Sequence, residues 1–455
     1  MSNSADLEMQ TPVPVKSLPE CRQRLQHLVL EGISKLDCEH IDFPPILHSF
    51  ERIMEAWPKD AFLLGLTAVN ITAHSVTLSA LYDYFYKVAT ILSRDAIENV
   101  SIDYIWKCVL EEQSLSPASI QTPETILSLQ HLTLASLGIF TMLFSWIPPS
   151  SDHQLSVSVA TTKDNKRKNQ TLRNAVLRAT GAVIRNFDCL PRGVPETADQ
   201  SNLLYLSSLN LSSLVNVGRV HIEWTDQLGS HLLFDPSLRT LKLFKFPSFC
   251  AVIAQKSRFA TLFENVLDGH NEANDDEVND SKSSNTETTI QQEVLLSYRL
   301  ILGQTRKSRK LFLRAFFPLI PLNERDGLLR KLGSSRNSQV LKALPSCYWP
   351  KALIGENGRL KEQDVYNTWT DFPLLGKRLL ILQTWNTRQQ PSTFREIWRD
   401  RRSPGTWLAF WAVLIYGGVS IILSAFQLAI AAAQLAISIP PSDQNDPTQR
   451  DSTSR

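Results

Sequence analysis

His221 and Glu223 lie two positions apart in a stretch where polar and apolar residues alternate, so a strand here would turn both side chains to one face. An imidazole beside a carboxylate can serve as a general acid–base pair, and Asp226 and His231 follow closely. His221, Glu223 and His231 are therefore the catalytic candidates of this chain. A strand histidine satisfied by ordinary hydrogen bonds explains the same spacing, and it is the better reading, because geometry has to come before any assignment of a base. Other local signatures of catalysis are missing. Gly303-Gln-Thr-Arg-Lys-Ser308 holds a glycine and a Lys-Ser, but lacks the second glycine whose backbone would cradle phosphate. There is no GxSxG elbow and no HExxH. The nine histidines are scattered without ligand spacing, so no metal and no cofactor is expected.

The six cysteines, Cys21, Cys38, Cys108, Cys189, Cys250 and Cys347, are never closer than seventeen positions. That spacing excludes zinc ribbons and CxxC redox turns, which need close pairs. No apolar core follows a basic start in the first residues, so no secretory signal is expected, and reduced thiols are expected with it. The five Asn-x-Ser/Thr sequons, at Asn70, Asn99, Asn169, Asn210 and Asn279, are then expected to stay unglycosylated. The basic run Lys163-Asp-Asn-Lys-Arg-Lys168 lacks interleaved aromatics for base stacking. It reads as a solvated loop, and nucleic acid is not an expected partner.

Net charge is +2 overall but strongly divided. Residues 1–293 carry a net −10 and residues 294–439 a net +13. The basic part adjoins the run Trp407 to Ile439, thirty-three residues without a charged side chain. As a helix this run is about 50 Å long, against a hydrocarbon core of about 30 Å. Trp407, Trp411 and Tyr416 sit near its start, where amphipathic rings favour the headgroup zone. The sequence predicts a single transmembrane helix. Arg388, Arg395, Arg399, Arg401 and Arg402 precede it, and by the positive-inside rule they place the N-terminal body in the cytosol, next to anionic lipid. The run ends sixteen residues before the last residue given, the layout of a tail-anchored protein. Ala425, Ala429 and Ala433 form a small-residue stripe at a spacing of four, where a second copy could pack to make a homodimer.

The elements that carry these groups follow from periodicity. Residues 1–20 read as a flexible arm and 21–266 as a helical body. Ile126 to Ile147 also lacks charge, but Gln130, His131 and Pro148-Pro149 mark it as a buried core helix. Leu172 to Phe187 is amphipathic, with Leu172, Ala175, Val176, Ala179, Val183 and Phe187 on its inner face. Alternation over 217–247 predicts a three-stranded antiparallel meander. Residues 267–293 carry eight acids against Lys282 and read as a disordered loop. Residues 294–406 form the basic membrane-proximal region, within which 344–370 wraps the body without long helices. The tail 440–455 is short and polar.

Two stretches carry a resemblance. Asp371-Phe-Pro-Leu-Leu-Gly-Lys-Arg-Leu, Pro391-Ser-Thr-Phe-Arg-Glu-Ile-Trp-Arg-Asp-Arg-Arg and Phe410-Trp-Ala-Val-Leu resemble the C-terminal region of a family of filamentous-fungal proteins of uncharacterised activity. His231-Leu-Leu-Phe-Asp235 and Phe244-Lys-Phe-Pro-Ser-Phe-Cys250 are similar to the same family. The resemblance spans about a quarter of the chain and implies a single C-terminal transmembrane helix and a lineage, not a chemistry. The fold expected is mainly α, as an α+β body with a small antiparallel meander and one C-terminal transmembrane helix. The function expected is that of a membrane-anchored cytosolic interaction or scaffold protein with a protein partner. The alternative is a membrane-tethered enzyme whose site is assembled from distant residues.

Overall fold

A computed structural model describes residues 17–34, 39–71, 75–94, 100–115, 122–149, 154–160, 165–187, 202–255, 257–267, 288–334, 344–389 and 404–438. The chain divides into two compact units, Met1–Gln390 and Pro391–Arg455. Most of the N-terminal arm and of the acidic segment, the C-terminal tail, and Arg395, Arg399, Arg401 and Arg402 lie outside the described residues.

The first unit opens with helices α1 (Leu18–Leu30), α2 (Pro44–Glu55), α3 (Asp60–Ala68), α4 (Leu78–Leu92), α5 (Ile102–Glu112) and α6 (Pro123–Thr141). Proline starts α2 and α6, where a missing N–H costs nothing. The Thr77 and Ser101 side chains cap α4 and α5 by accepting the amides of Ala80 and Tyr104. Helix α6 is buried along its length from Ser128 to Thr141, so the uncharged run 126–147 is a core helix as far as Thr141, and its last residues turn into a strand instead. It stops at Met142, whose φ of 52° lies in the left-handed region. The chain then enters an antiparallel meander, β1 (Ser145–Trp146), β2 (Gln154–Ala160) and β3 (Asn165–Thr171). The end of the basic run, Asn165 to Lys168, is thus paired strand rather than loop, with Lys166 and Arg167 exposed.

The expected helix over 172–187 is two short helices, α7 (Leu172–Ala175) and α8 (Thr180–Asn186). Of the six residues expected on the inner face, Ala175, Val176, Val183 and Phe187 are buried, while Leu172 and Ala179 are half-buried. The break between them arises from long-range hydrogen bonds. The Val176 carbonyl accepts the Asp103 amide, the Thr180 amide donates to Val100, and Ala179 bridges Ser101. These draw the backbone out of the helix.

After β4 (Leu203–Tyr205), α9 (Leu206–Leu209) and α10 (Leu211–Asn216) come β5 (His221–Thr225), β6 (Phe234–Asp235) and β7 (Thr240–Phe244). Strands form where alternation places them, but not as a meander. Their order is β5-β7-β6, with β5 parallel to β7 and β6 antiparallel to it. Asp235 accepts the Ser237 and Leu238 amides through its side chain and tightens the turn into β7. That turn reverses the chain between β6 and β7, and the segment from Asp226 to Leu233 carries it across the sheet. The most apolar strand, β7, consequently takes the centre.

Helices α11 (Pro247–Ala254), α12 (Arg258–Leu267), α13 (Ile290–Tyr298), α14 (Arg306–Leu311) and α15 (Gly327–Ser334) follow, with π-helical turns at Arg299–Gly303 and Phe312–Phe316. Thr289 and Gln292 form a capping box that starts α13, so the expected acidic loop ends before Thr289 rather than at Glu293. Residues 344–370 wrap the body in short turns and β8 (Val365–Asn367), which pairs with β4. Helix α16 (Gly376–Arg388) closes the unit. One continuous apolar core, from Cys21 to Leu382, runs through these elements. The second unit holds α17, Pro404–Ser438. The fold is therefore mainly helical with small sheets and one long apolar helix at the C-terminal end.

Candidate functional site: catalytic candidates, buried charges and the apolar helix

The structure separates the three catalytic candidates. His221 and Glu223 share the exposed face of β5, as predicted, and their side chains make no hydrogen bond or ion pair among the described residues. His231 is fully buried. Its Nδ1 accepts the Phe244 amide at 3.1 Å, which places the proton on Nε2, 2.7 Å from the Ser297 hydroxyl oxygen. Ser297 in turn donates to the Val294 carbonyl at 2.7 Å. Burial, helped by the charge of Arg378, pulls the imidazole down to about 3. A neutral, sealed and fully bonded histidine locks β7 to α13, and the acid–base triad is not assembled.

Asp226 is engaged elsewhere. Together with Glu324 it faces Arg52 and Lys245, and each acid pairs with both bases. Arg52 lies 2.9 Å from Glu324, and Lys245 lies 2.5 Å from Asp226. Burial alone would push the Glu324 carboxyl up. The hydrogen bond and charge of Lys245, then of Arg52, outweigh it and hold the carboxyl below its ordinary value. Burial likewise works against the Arg52 charge, and the two carboxylates overcome it. The ring ties α2, the end of β5, the residue after β7 and the turn before α15 into one block.

Two further acids are buried at helix starts. Asp326 accepts the Ser248 amide and hydroxyl at 2.8 and 2.7 Å, and the Leu328 amide at 2.8 Å, at the start of α15. Burial pushes it up to about 7 against these hydrogen bonds, with the Asp42 charge adding to the rise. Glu293 accepts the Leu374 amide at 2.9 Å and the Leu375 amide at 2.6 Å, immediately before α16. Burial pushes it up to about 8, opposed by those two amides. Each acid satisfies donors at a helix N-terminus and faces the positive end of its dipole. Sequence reasoning assigned Glu293 to an acidic loop. The Thr289-x-x-Gln292 capping signature was the signal that it lies inside a helix.

Space for a small ligand is limited where aromatic residues meet. Trp57, Trp146, Phe144 and Asp226 line a cavity of about 10 Å³, close to the volume needed for one water. An open depression of about 350 Å³ lies between α1 and α2, where Arg22 is already paired with Glu51. Among the described residues no three His, Cys, Asp or Glu gather as metal ligands would.

The second unit is different in kind. Helix α17 contains Leu408–Leu435, twenty-eight residues with mean hydropathy 2.1 and none of its most apolar stretch buried. The helix is long and apolar enough to cross a membrane. Ser420 and Ser424 donate to the carbonyls four residues earlier, at 2.8 Å each, so their hydroxyls need no water. Phe410 and Trp411 stack edge to face near its start, and Tyr416 is 75% exposed. Ala425, Ala429 and Ala433 are exposed, like their neighbours along this helix. Of the five flanking arginines, Arg388 lies in the last turn of α16. Comparison of the chain with protein-family models, curated proteins and solved structures finds no match.

Proposed function

We propose that this chain is a membrane-anchored interaction protein, in which one spanning helix holds a folded body on the cytosolic side. The observation that carries the reading is the contrast between α17, whose apolar surface is unburied, and a body that buries its own continuous core. A helix of that length exposing so much apolar surface is stable only where lipid or protein covers it. Orientation rests on the arginines at 388, 395, 399, 401 and 402, which favour the cytosolic face and attract an anionic leaflet. The alanine stripe would seat a second copy of the helix. The resemblance to the filamentous-fungal family adds the lineage. An interaction role is favoured over an enzymatic one because His231 is sealed in the core while His221 and Glu223 stand at the surface. Sealed vesicles test the topology. Carbonate should leave the chain in the membrane pellet, and external protease should digest the body. Carbonate extraction of the full chain, or protection of the body, would reject the reading. Proximity labelling from the body in its native cell would then name the partner.

A further inference from the structure

Between α14 and α15 the surface carries exposed leucines that nothing among the described residues covers. Leu319 is 64% and Leu322 79% exposed, while Phe312 and Ile320 beside them are buried. A turn that only connected two helices would not hold large apolar side chains outward so firmly. Here Arg325 donates to the Ile320 carbonyl at 2.8 Å and to the Pro318 carbonyl at 3.0 Å, with its guanidinium stacked on the Phe317 ring. Trp224 donates from its indole to the Phe316 carbonyl at 3.1 Å, and the Phe312 and Phe317 rings pack at 5.5 Å. Pro318 and Pro321 bring no amide donor to the turn. The polar backbone of this tip is thus largely satisfied from within, which is the condition for leaving water.

The flank of the tip is cationic. Arg306, Lys307, Lys310 and Arg314 are exposed and form no ion pair among the described residues. Arg306, Lys310 and Arg314 recur every four residues, on one side of α14 and the π-helical turn that continues it. No acidic residue occurs from Val294 to Asn323, and the next one, Glu324, is consumed by Lys245 and Arg52. Unpaired cations beside a rigid apolar tip match one surface best, namely an anionic bilayer, whose phosphates neutralise the charge while the acyl boundary receives the leucines.

We infer that Arg306–Leu322 is a second membrane contact, which inserts Leu319 and Leu322 into the interfacial zone of an anionic leaflet. The inference rests on the anchored reading and adds to it a specific face of the body. It makes the body a lipid-reading element and not a passenger on a tether.

The test uses the full chain reconstituted in vesicles of phosphatidylcholine with or without phosphatidylserine. Leu319 is replaced by the photoreactive benzoylphenylalanine, and adducts are read by mass spectrometry. The expected result is a lipid adduct at position 319 that is strong with phosphatidylserine. Screening by 0.5 M salt, or Gln at 306, 307, 310 and 314 together, should lower it at least tenfold, since each juxtamembrane cation favours the surface about fivefold. The same probe at Leu238, which is 61% exposed on the β6–β7 turn, should give little adduct. Crosslinking of position 319 to a second protein copy, no lipid adduct, or equal adducts at 319 and 238 would each overturn the inference. Carbonate resistance, read on the same sample, reports separately whether the spanning-helix reading holds.

Discussion

Helices α6 and α17 both grow from long uncharged runs, yet one is the centre of a folded body and the other leaves its apolar surface uncovered. What separates them is the fate of their polar side chains. In α6, Gln130 donates to Asp103 at 2.8 Å, and Thr133 bonds the Tyr84 hydroxyl at 2.8 Å. Ser128 donates to the Ala61 carbonyl at 2.8 Å and accepts the Gly65 amide at 3.0 Å, while Trp146 donates to His131 at 3.2 Å. These partners come from other elements of the body, although Thr133, Ser136 and Thr141 also donate to carbonyls of α6 itself. In α17, Ser420 and Ser424 donate to the helix that carries them, and neither bonds another element among the described residues. Absence of charge marks a helix that avoids water. The reach of its polar groups tells whether protein or lipid replaces that water.

The sharpest way to break this comparison is a charge in each helix. Leu134 is fully buried in α6, so Leu134→Lys strands an unpaired ammonium in the core. The body should lose on the order of 4 kcal/mol or more and fail to unfold cooperatively by circular dichroism of the full chain in detergent. Leu423→Lys on α17 should leave the body's unfolding unchanged and impair membrane insertion by about 2.5–3.5 kcal/mol, measured as the inserted fraction in microsomes. Similar loss of body stability from both substitutions would erase the distinction between the two helices.

A second difference is that buried acids tie the body together, whereas α17 has none. Asp326 and Glu293 are raised to about 7 and about 8, so the folded state favours their protonated forms. Their contribution is complete below the ordinary carboxyl range and is lost as pH rises through 7 and 8. Between pH 6 and pH 9 the body should therefore lose up to about 4 kcal/mol, at about 1.4 kcal/mol per unit per group. Urea midpoints at the two pH values check this. Glu293→Gln keeps one acceptor for the Leu374 and Leu375 amides and should flatten the slope. An unchanged slope would mean that Glu293 stays ionised throughout.

Smaller effects sharpen the contrast within each unit. Gly333 lies so close to the Phe312 ring that an added Cβ would collide with it. Gly333→Val should cost the body about 1–3 kcal/mol in thermal unfolding, because the ring beneath the Leu319 tip has to move. In α17 the matching test is Ala429→Leu, which should weaken self-association of the helix by about 1 kcal/mol or less in a detergent dimerisation assay. Dimerisation unaffected by Ala429→Leu would remove the alanine stripe from consideration.

Much of the architecture was legible in residue order. The uncharged run 407–439 predicted a helix long and apolar enough to cross a membrane, because a soluble core of this size has no use for about 50 Å of unbroken apolar helix. Alternation over 217–247 located β5, β6 and β7 and put His221 and Glu223 on one face, since a strand has no other way to dispose neighbouring side chains. Periodicity over 172–187 picked four residues that are buried, Ala175, Val176, Val183 and Phe187. What tertiary structure decided was everything that depends on which distant segments meet. The parallel pairing of β5 with β7, the break between α7 and α8, and the ring of Arg52, Asp226, Lys245 and Glu324 arise between residues far apart in sequence. The same holds for His231, which looked like a base and is a sealed core group, and for Glu293, which looked like part of a solvated loop and accepts the amide of Leu374, 81 residues away at the start of a helix. Local spacing fixes which way a side chain points. The partner that it meets, and so whether it is a catalyst, a cap or a lock, is settled only when the chain closes on itself.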